Sequence, residues 1–449
     1  MRLDLIEKYD LRVPRYTSYP TAPHFGPSVD GGTYARWLSE LEPTAPLSLY
    51  LHIAYCAEMC WFCGCHTKAT HKYAPVADYL DAVQAEAKLI AGKLPARMKV
   101  DHVHFGGGSP TLLKADDFAQ TLAQLREFYN VTLDADIAVE MDPRTATEDY
   151  VRAMAKAGVT RASIGVQDFD ERVQKAINRI QPYDVTARVS GWLRDAGISA
   201  INMDLVYGLP YQTVESVTEM ARLAAGLAPA RIALFGYAHV PWMKPHQKLI
   251  PEEALPDMAE RWAQYEATAD ALLEAGYVRV GLDHFAHPDD PMAEAAKAGA
   301  LHRNFQGYTT DEAPVLIALG ASGIGSLPQG YVANEIAIER YKETVRAGEL
   351  PITRGIAVNG DDKLRREIIE KLMCDMNVDL AAIAGLHGLD PDAFDPELAA
   401  LEPLEADGIV LRDGSRLVIT EEGRPLMRAV CAVFDRYLEA GGARHSKAV

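Results

Sequence analysis

A chain of 449 residues, 48% hydrophobic and 24% charged, is long enough for one large and one small domain and has ample apolar content for a core. Its 45 basic against 63 acidic side chains leave a formal charge of −18, which repels a nucleic-acid backbone, and no basic tract is set apart to offset it. Four of the six cysteines fall within ten residues, which excludes the disulfide framework of a small secreted scaffold and fits a reducing compartment.

The N-terminal MRLDLIEKYDLRVPRY carries charges throughout and holds no apolar stretch of signal-peptide type, so a cytoplasmic protein is expected. Residues 9 to 26, YDLRVPRYTSYPTAPHFG, mix tyrosine, proline and Arg15 without a helical period, and read as an extended arm packed on the body. The sharper alternative is a strap laid over an active site.

From Leu47 a rhythm of a short apolar run, a turn and an amphipathic helix sets in and repeats about six times. Strands are predicted at 48–54, 100–106, 137–140, 162–167, 200–206 and 232–238, with helices at 76–93, 115–128, 148–157, 184–196 and 214–225. Such alternation implies parallel strands with helices outside, an α/β fold built on an incomplete (β/α)6 barrel. The uncharged run from Ala313 to Asn334 is broken by Pro314, Gly320, Gly323, Gly325, Pro328 and Gly330, which makes it a poor membrane segment, and no membrane partner is expected.

After about Asp361 the rhythm turns helical, and GIVLRDGSRLVITEEG reads as a hairpin resembling the wing of a winged helix. Nine carboxylates and no Lys or Arg lie between Asp375 and Asp407, so a lid or packing role is favoured over DNA binding. The expected division is an N-terminal extension over 1–46, a barrel with substrate-side elements over 47–355 and a mainly helical C-terminal domain over 356–449.

Chemistry centres on Cys56-Ala57-Glu58-Met59-Cys60-Trp61-Phe62-Cys63-Gly64-Cys65. Thiolates suit zinc or iron–sulfur clusters, and cysteines at such close spacing are poorly explained as packing. A closed zinc site draws its second pair from elsewhere, whereas Cys374 and Cys431 stand alone. Cys56, Cys60 and Cys63 can instead grip three corners of a 4Fe-4S cubane, leaving one iron open.

Barrel enzymes gather their chemistry at the C-terminal strand ends. Here those ends deliver the cysteine loop, Gly106-Gly107-Gly108-Ser109-Pro110, Glu140, Gln167-Asp168, Asp204 and Ala238-His239. Each has an ordinary alternative: the glycines a turn, Glu140 or Asp204 a helix cap, Gln167 a backbone partner, Arg179 a solvated charge at a helix end. Together they read as a cofactor cradle, in which glycines admit backbone amides to a ligand and carboxylates suit its hydroxyl groups. Arg179 can make a two-point contact with a ligand carboxylate.

Cys56-x3-Cys60-x2-Cys63, with Phe62 before the third cysteine, resembles the signature of the radical S-adenosylmethionine (SAM) enzymes, with Ala54 and Tyr55 replacing the more usual residues before the first cysteine. The resemblance implies a radical-SAM barrel in which the open iron chelates SAM. PRYTSYPTA, LYLHIAYC, GGGSPT, VEMDP, SIGVQDF, NMDLVYGLP, GYAHVP, GLDHFAHPDD and LHRNFQGYTT narrow it to the oxygen-independent coproporphyrinogen III oxidase family, over nearly the whole chain. That family decarboxylates the ring A and B propionates of coproporphyrinogen III to the vinyl groups of protoporphyrinogen IX. By resemblance, Tyr50, Gly107, Glu140 and Ile324 would hold one SAM on the cluster, with Tyr50 among the catalytic residues. Phe62, Gly108, Ser109, Gln167, Arg179, Asp204 and Ala238 would hold a second SAM.

His302 to Tyr308 is the substrate-side candidate, with Arg15, Tyr16 and Tyr19 of the N-terminal segment closing over a large tetrapyrrole. An electron donor and an electron acceptor are required, and a monomer is expected. Two rivals are a haem-binding relative that keeps the cluster without decarboxylation, and an electron-transfer protein with a closed four-thiolate cluster using Cys65.

Overall fold

The computed structural model describes residues 3–9 and 13–438. Positions 10–12 of the proline-tyrosine segment and the last stretch of the C-terminal region, 439–449, lie outside the described residues. Among the described residues no helix is long and apolar enough to cross a membrane.

The six predicted strands are present as β1 (Leu47–Ile53), β2 (Lys99–Gly107), β3 (Asn130–Met141), β4 (Arg161–Gln167), β5 (Ala200–Tyr207) and β6 (Arg231–Gly236). Between them run α1 (Ala74–Ala91), α2 (Ala115–Phe128), α3 (Glu148–Ala157), α4 (Tyr183–Asp195) and α5 (Val214–Gly226). All seven positions of β1, LSLYLHI, are buried, as a strand covered on both faces requires. Helix ends follow local chemistry. Thr147 accepts from Tyr150 N and Gly158 closes α3 at φ 101°, while Thr213 and Ser216 form a reciprocal cap on α5.

The strands β1 to β6 pair in parallel in chain order. The sheet does not stop at six. On its other edge β1 pairs in parallel with β7 (Val315–Leu319), Leu51 opposite Leu319, and β8 (Ile324–Leu327), β9 (Gly330–Asn334) and β10 (Ile352–Ala357) continue it antiparallel. The uncharged run Ala313–Asn334 is therefore the core of these added strands. Helix α6 (Ile338–Arg346) lies between β9 and β10 in the chain.

The chain forms two compact units, the first comprising residues 25–275 and 311–357 and the second the described parts of 1–24, 276–310 and 358–449. Residues 276–310 thus group with the C-terminal region and 25–46 with the barrel, a division different from the three consecutive blocks expected from sequence. In the second unit helices Gly360–Asp375, Leu380–Leu386, Asp395–Ala406 and Met427–Val433 pack around Leu364, Ile368, Leu372, Phe394 and Phe434. The predicted hairpin is present at Val410–Asp413 and Arg416–Ile419, with Asn377–Asp379 as a third strand.

Candidate active site

The cysteine loop leaves the C-terminal end of β1 and is tied back onto its own start. Tyr55 and Cys56 pair in parallel with Lys68 and Ala69, Lys68 N donates to Ala54 O at 3.0 Å, and Thr70 N donates to Cys56 O at 2.9 Å. Its far side is held from other strand ends. Asn178 Nδ2 donates to Met59 O at 2.9 Å, Trp61 N to Ile177 O at 2.9 Å, and Gln247 Nε2 to Phe62 O at 2.9 Å. His246 Nε2 reaches Cys63 O at 2.7 Å and Lys244 Nζ reaches Cys65 O at 3.0 Å.

Donors surround the sulfurs. Thr67 Oγ1 donates to Cys56 Sγ at 3.2 Å, and Cys65 N donates to Cys63 Sγ at 3.3 Å. Arg144 Nη2 and Arg179 Nη1 both reach Cys60 Sγ at 3.5 Å. Burial pushes the Cys56 thiol up to about 12, whereas the Cys65 side chain and backbone, Lys244 and Arg179 bring Cys63 down to about 7. Among the described residues no group of His, Cys, Asp or Glu converges on one point as a single-ion site demands. Three closely spaced thiolates ringed by N–H and O–H donors to sulfur are a donor set that fits a 4Fe-4S cubane.

Around the loop the strand ends present the predicted polar groups. Tyr50 and His52 project from β1. His52 Nε2 lies 2.7 Å from His66 O and must donate there, which leaves Nδ1 to accept from Tyr50 OH at 3.2 Å. Glu140 at the end of β3 takes Gly107 N on Oε2 at 3.1 Å and meets His104 Nε2 on Oε1 at 3.0 Å. Asp204 on β5 accepts from Ser163 Oγ at 3.1 Å and Asn202 Nδ2 at 2.8 Å, while Asn202 Oδ1 is buried without a partner. Gln167 ends β4 at φ 70°, a left-handed conformation that costs a non-glycine residue about 1 kcal/mol or more. Gln247 Nε2 also donates to Ala238 O at 3.2 Å, and Ile324 opens β8, half-buried.

Two expectations change. Gly107 and Gly108 do not open their amides to a ligand: Gly107 N is taken by Glu140 and Gly108 N by Ile53 O at 2.7 Å, and the next amide, Ser109 N, by Tyr55 O at 2.8 Å. A Cβ on Gly106 would stand 2.6 Å from Glu140 Oε1, on Gly107 2.6 Å from the His52 ring, and on Gly108 2.5 Å from Tyr55 O. These glycines let the protein approach itself. Nor is Arg179 a solvated charge at a helix end. It is 7% exposed, Nη2 donates to Gly165 O at 2.7 Å, and Nη1 stands 3.5 Å from Asp142 Oδ2. Its Nε is buried without a partner.

Thr67, Arg144, Lys244, His246 and Gln247 are site residues that sequence reasoning missed. No spacing rule reaches them, since Gln247 meets Phe62 across 185 residues and Arg144 meets Cys60 across 84.

The substrate-side candidates lie in the second unit. His302–Asn304 and Gly307–Thr309 pair as a hairpin, with the Arg303 guanidinium 4.4 Å from the Tyr308 ring centre and the Tyr308 hydroxyl donating to Met373 O at 2.8 Å. Tyr16 and Tyr19 belong to this unit's core, Tyr16 OH donating to Asp435 at 3.1 Å and Tyr19 OH accepting from Arg436 N at 3.0 Å. Their side chains are those of a packed arm.

Residues 50–224 match the Radical SAM superfamily and residues 358–426 the HemN C-terminal domain. The oxygen-independent coproporphyrinogen III oxidase of Bradyrhizobium diazoefficiens is 51% identical, with all of both chains covered. The chain belongs to the oxygen-independent coproporphyrinogen III oxidase family. The relative of that name from Paracoccus denitrificans is 41% identical over 100% of this chain and 99% of its own. A solved structure titled "Coproporphyrinogen III oxidase (HemN) from Escherichia coli is a Radical SAM enzyme" superposes with a TM-score of 0.92 at 36% identity, covering 97% of this chain and 99% of its own. Membership of this radical SAM family brings with it a 4Fe-4S cluster and SAM, and Cys56, Cys60 and Cys63 are the donor set that fits the cluster.

Proposed function

We infer that this protein is an enzyme that converts the ring A and ring B propionates of coproporphyrinogen III to the vinyl groups of protoporphyrinogen IX without oxygen, in haem biosynthesis. The observation that carries it is the three-cysteine loop tied down at a barrel rim where Glu140, Arg179 and Asp204 also gather, in a chain that matches its family end to end.

Each conversion takes CH₂CH₂COO⁻ to CH=CH₂ with release of carbon dioxide, one proton and two electrons. The CH₂ beside the ring has no acidic proton, so a general base has nothing to remove and a hydrogen-atom abstraction is required. Cluster and SAM together supply that step when bound, as a reactive primary carbon radical. The chain supplies position and exclusion of water. Cys56, Cys60 and Cys63 would carry the cluster. Tyr50, Gly107, Glu140 and Ile324 would line the place of the SAM on it, and Phe62, Gly108, Ser109, Gln167, Arg179, Asp204 and Ala238 that of a second SAM. Arg179 and Arg144 bring positive charge to Cys60, which balances thiolate charge in a buried site. The segment from His302 to Tyr308 is the candidate for the tetrapyrrole, since a flat ligand with carboxylates needs both apolar contact and donors. A one-electron reductant and an electron acceptor complete the reaction.

The test is anaerobic turnover of reconstituted protein with SAM, a reductant and coproporphyrinogen III. Carbon dioxide and vinyl product in a ratio of one to one support the reading. Tetrapyrrole bound and recovered intact by a cluster-loaded preparation would support the haem-binding alternative.

A further inference from the structure

Helix α1 buries two polar side chains seven residues, or two turns, apart on one face: Tyr79, 0% exposed, and Glu86, 0% exposed. The Tyr79 hydroxyl donates to His52 O at 2.7 Å and accepts from Ala321 N at 2.8 Å. It therefore stitches the end of β1 to the turn between β7 and β8. One turn pair along, Glu86 Oε2 accepts from Gly320 N at 2.7 Å and from Tyr341 OH of α6 at 2.5 Å, and Oε1 accepts from Asn334 Nδ2 of β9 at 2.7 Å. Asn334 Nδ2 also donates to Gly320 O at 2.9 Å. Gly320 sits at φ +97°, and a Cβ there would lie 2.5 Å from His52 O and 2.6 Å from Tyr79 OH, so the turn rests directly on β1.

Helix-on-sheet packing needs only apolar side chains. A buried carboxylate with neutral donors around it is costly against that alternative, and a fully satisfied buried network rigidifies one arrangement of the elements it joins. What this one enforces is the relation between two stretches of the cofactor end. Beyond the stitched His52 carbonyl, the His52 ring holds Tyr50 OH and His66 O of the cysteine loop, and beyond the stitched turn stands Ile324.

We propose that Tyr79 and Glu86 are positioning residues for SAM, locking the 320–321 turn onto the end of β1 and so fixing Tyr50, His52 and Ile324 relative to the cysteine loop. The proposal rests on the functional reading above and extends it to residues that touch neither SAM nor cluster.

The test uses reconstituted full-length holoenzyme carrying Tyr79→Phe, which deletes one hydroxyl without creating a cavity, with Tyr341→Phe as a second variant acting on Glu86. Iron content and the spectrum of the SAM-free reduced cluster should match wild type. The SAM KM should rise about tenfold, as expected for loss of one buried hydrogen bond at a site boundary. The electron paramagnetic resonance change that SAM induces in wild type should broaden, and more 5′-deoxyadenosine should form per vinyl group. A folding role alone would lower thermal stability and leave these three readouts in place. Wild-type SAM response, KM and product ratio in both variants, beside a responsive wild type, would overturn the proposal alone. No SAM response in the cluster-loaded wild type would overturn the functional reading and the proposal with it.

Discussion

Arg179 Nη1 stands 3.5 Å from Cys60 Sγ, although 119 residues separate the two in sequence. The short helix Glu171–Ala176 after β4 makes the contact possible, because Asn178 turns at φ 54° behind it and donates its side chain to Met59 O. One strand end thereby grips the loop grown from another. With Nη2 on Gly165 O and Nε buried without a partner, Arg179 is a charge already desolvated and incompletely satisfied.

Removing that charge should weaken SAM binding more than it disturbs the cluster. Arg179→Ala is expected to lower SAM affinity ten- to a hundredfold, since a charge-assisted hydrogen bond is worth about 1.5–3 kcal/mol. Iron should stay, because Arg144 also serves Cys60 and the thiolates do the holding. Equilibrium dialysis with labelled SAM on iron-matched preparations measures it, and wild-type affinity would return Arg179 to a purely structural part.

The cysteine loop makes an unequal prediction for four similar residues. Anaerobic reconstitution should give about four iron per chain, and Cys56→Ala, Cys60→Ala and Cys63→Ala should each lose the cluster, as a cubane on three thiolates requires. Cys65, which engages Cys63 through both its side chain and its amide, should be dispensable for iron. Iron analysis and the visible spectrum decide, and cluster loss in Cys65→Ala equal to the others would mean a closed four-thiolate site.

Gly107→Ala tests the corrected account of the glycine triplet. At φ +103°, with the His52 ring 2.6 Å from the new Cβ, alanine should destabilise the barrel by about 1–3 kcal/mol and displace His52. Gly226→Ala, with nothing within 4 Å, serves as the control and should be near neutral. Denaturant midpoints compare the two. Equal midpoints would mean that the backbone at 107 relaxes freely, leaving ligand access as the better reason for glycine.

Burial pushes the Glu86 carboxyl from 4.5 up to about 7. The folded chain then keeps a proton that the unfolded chain has released, so this contribution is complete below pH 4.5 and is lost as pH rises to about 7. His52 and His66, lowered from 6.5 by burial, act in the opposite sense, so the informative quantity is the difference from Glu86→Gln, in which they cancel. That difference should move against wild type across the window by up to about 3 kcal/mol. A difference independent of pH in urea unfolding would show that Glu86 titrates normally.

The parallel strands were legible because each is a short apolar run between a helix and a loop, and β1 to β6 begin and end within two residues of expectation apart from β3. β3 starts at Asn130 and not near Ile137, because Thr132, Asp134 and Asp136 interrupt the apolar pattern at its exposed start. Strands β7 to β9 showed only as an uncharged stretch, since their glycines and prolines read as loop, and helix Gly31–Ser39 was hidden by its two leading glycines. In the candidate site, the cysteine spacing was legible and the surroundings of each side chain were not. Cys56, Cys60 and Cys63 announce themselves by spacing, whereas the burial of Arg179 and the support of Cys63 O by His246 depend on contacts across the whole barrel.

The central claim is hydrogen-atom removal from the propionate carbon beside the ring, and binding alone cannot imitate it. Anaerobic, cluster-loaded protein would be given SAM, a strong reductant and coproporphyrinogen III deuterated at that carbon, and the products read by mass spectrometry. The account predicts deuterium in 5′-deoxyadenosine, with carbon dioxide and vinyl product formed in step. Unlabelled 5′-deoxyadenosine beside intact porphyrinogen would contradict it.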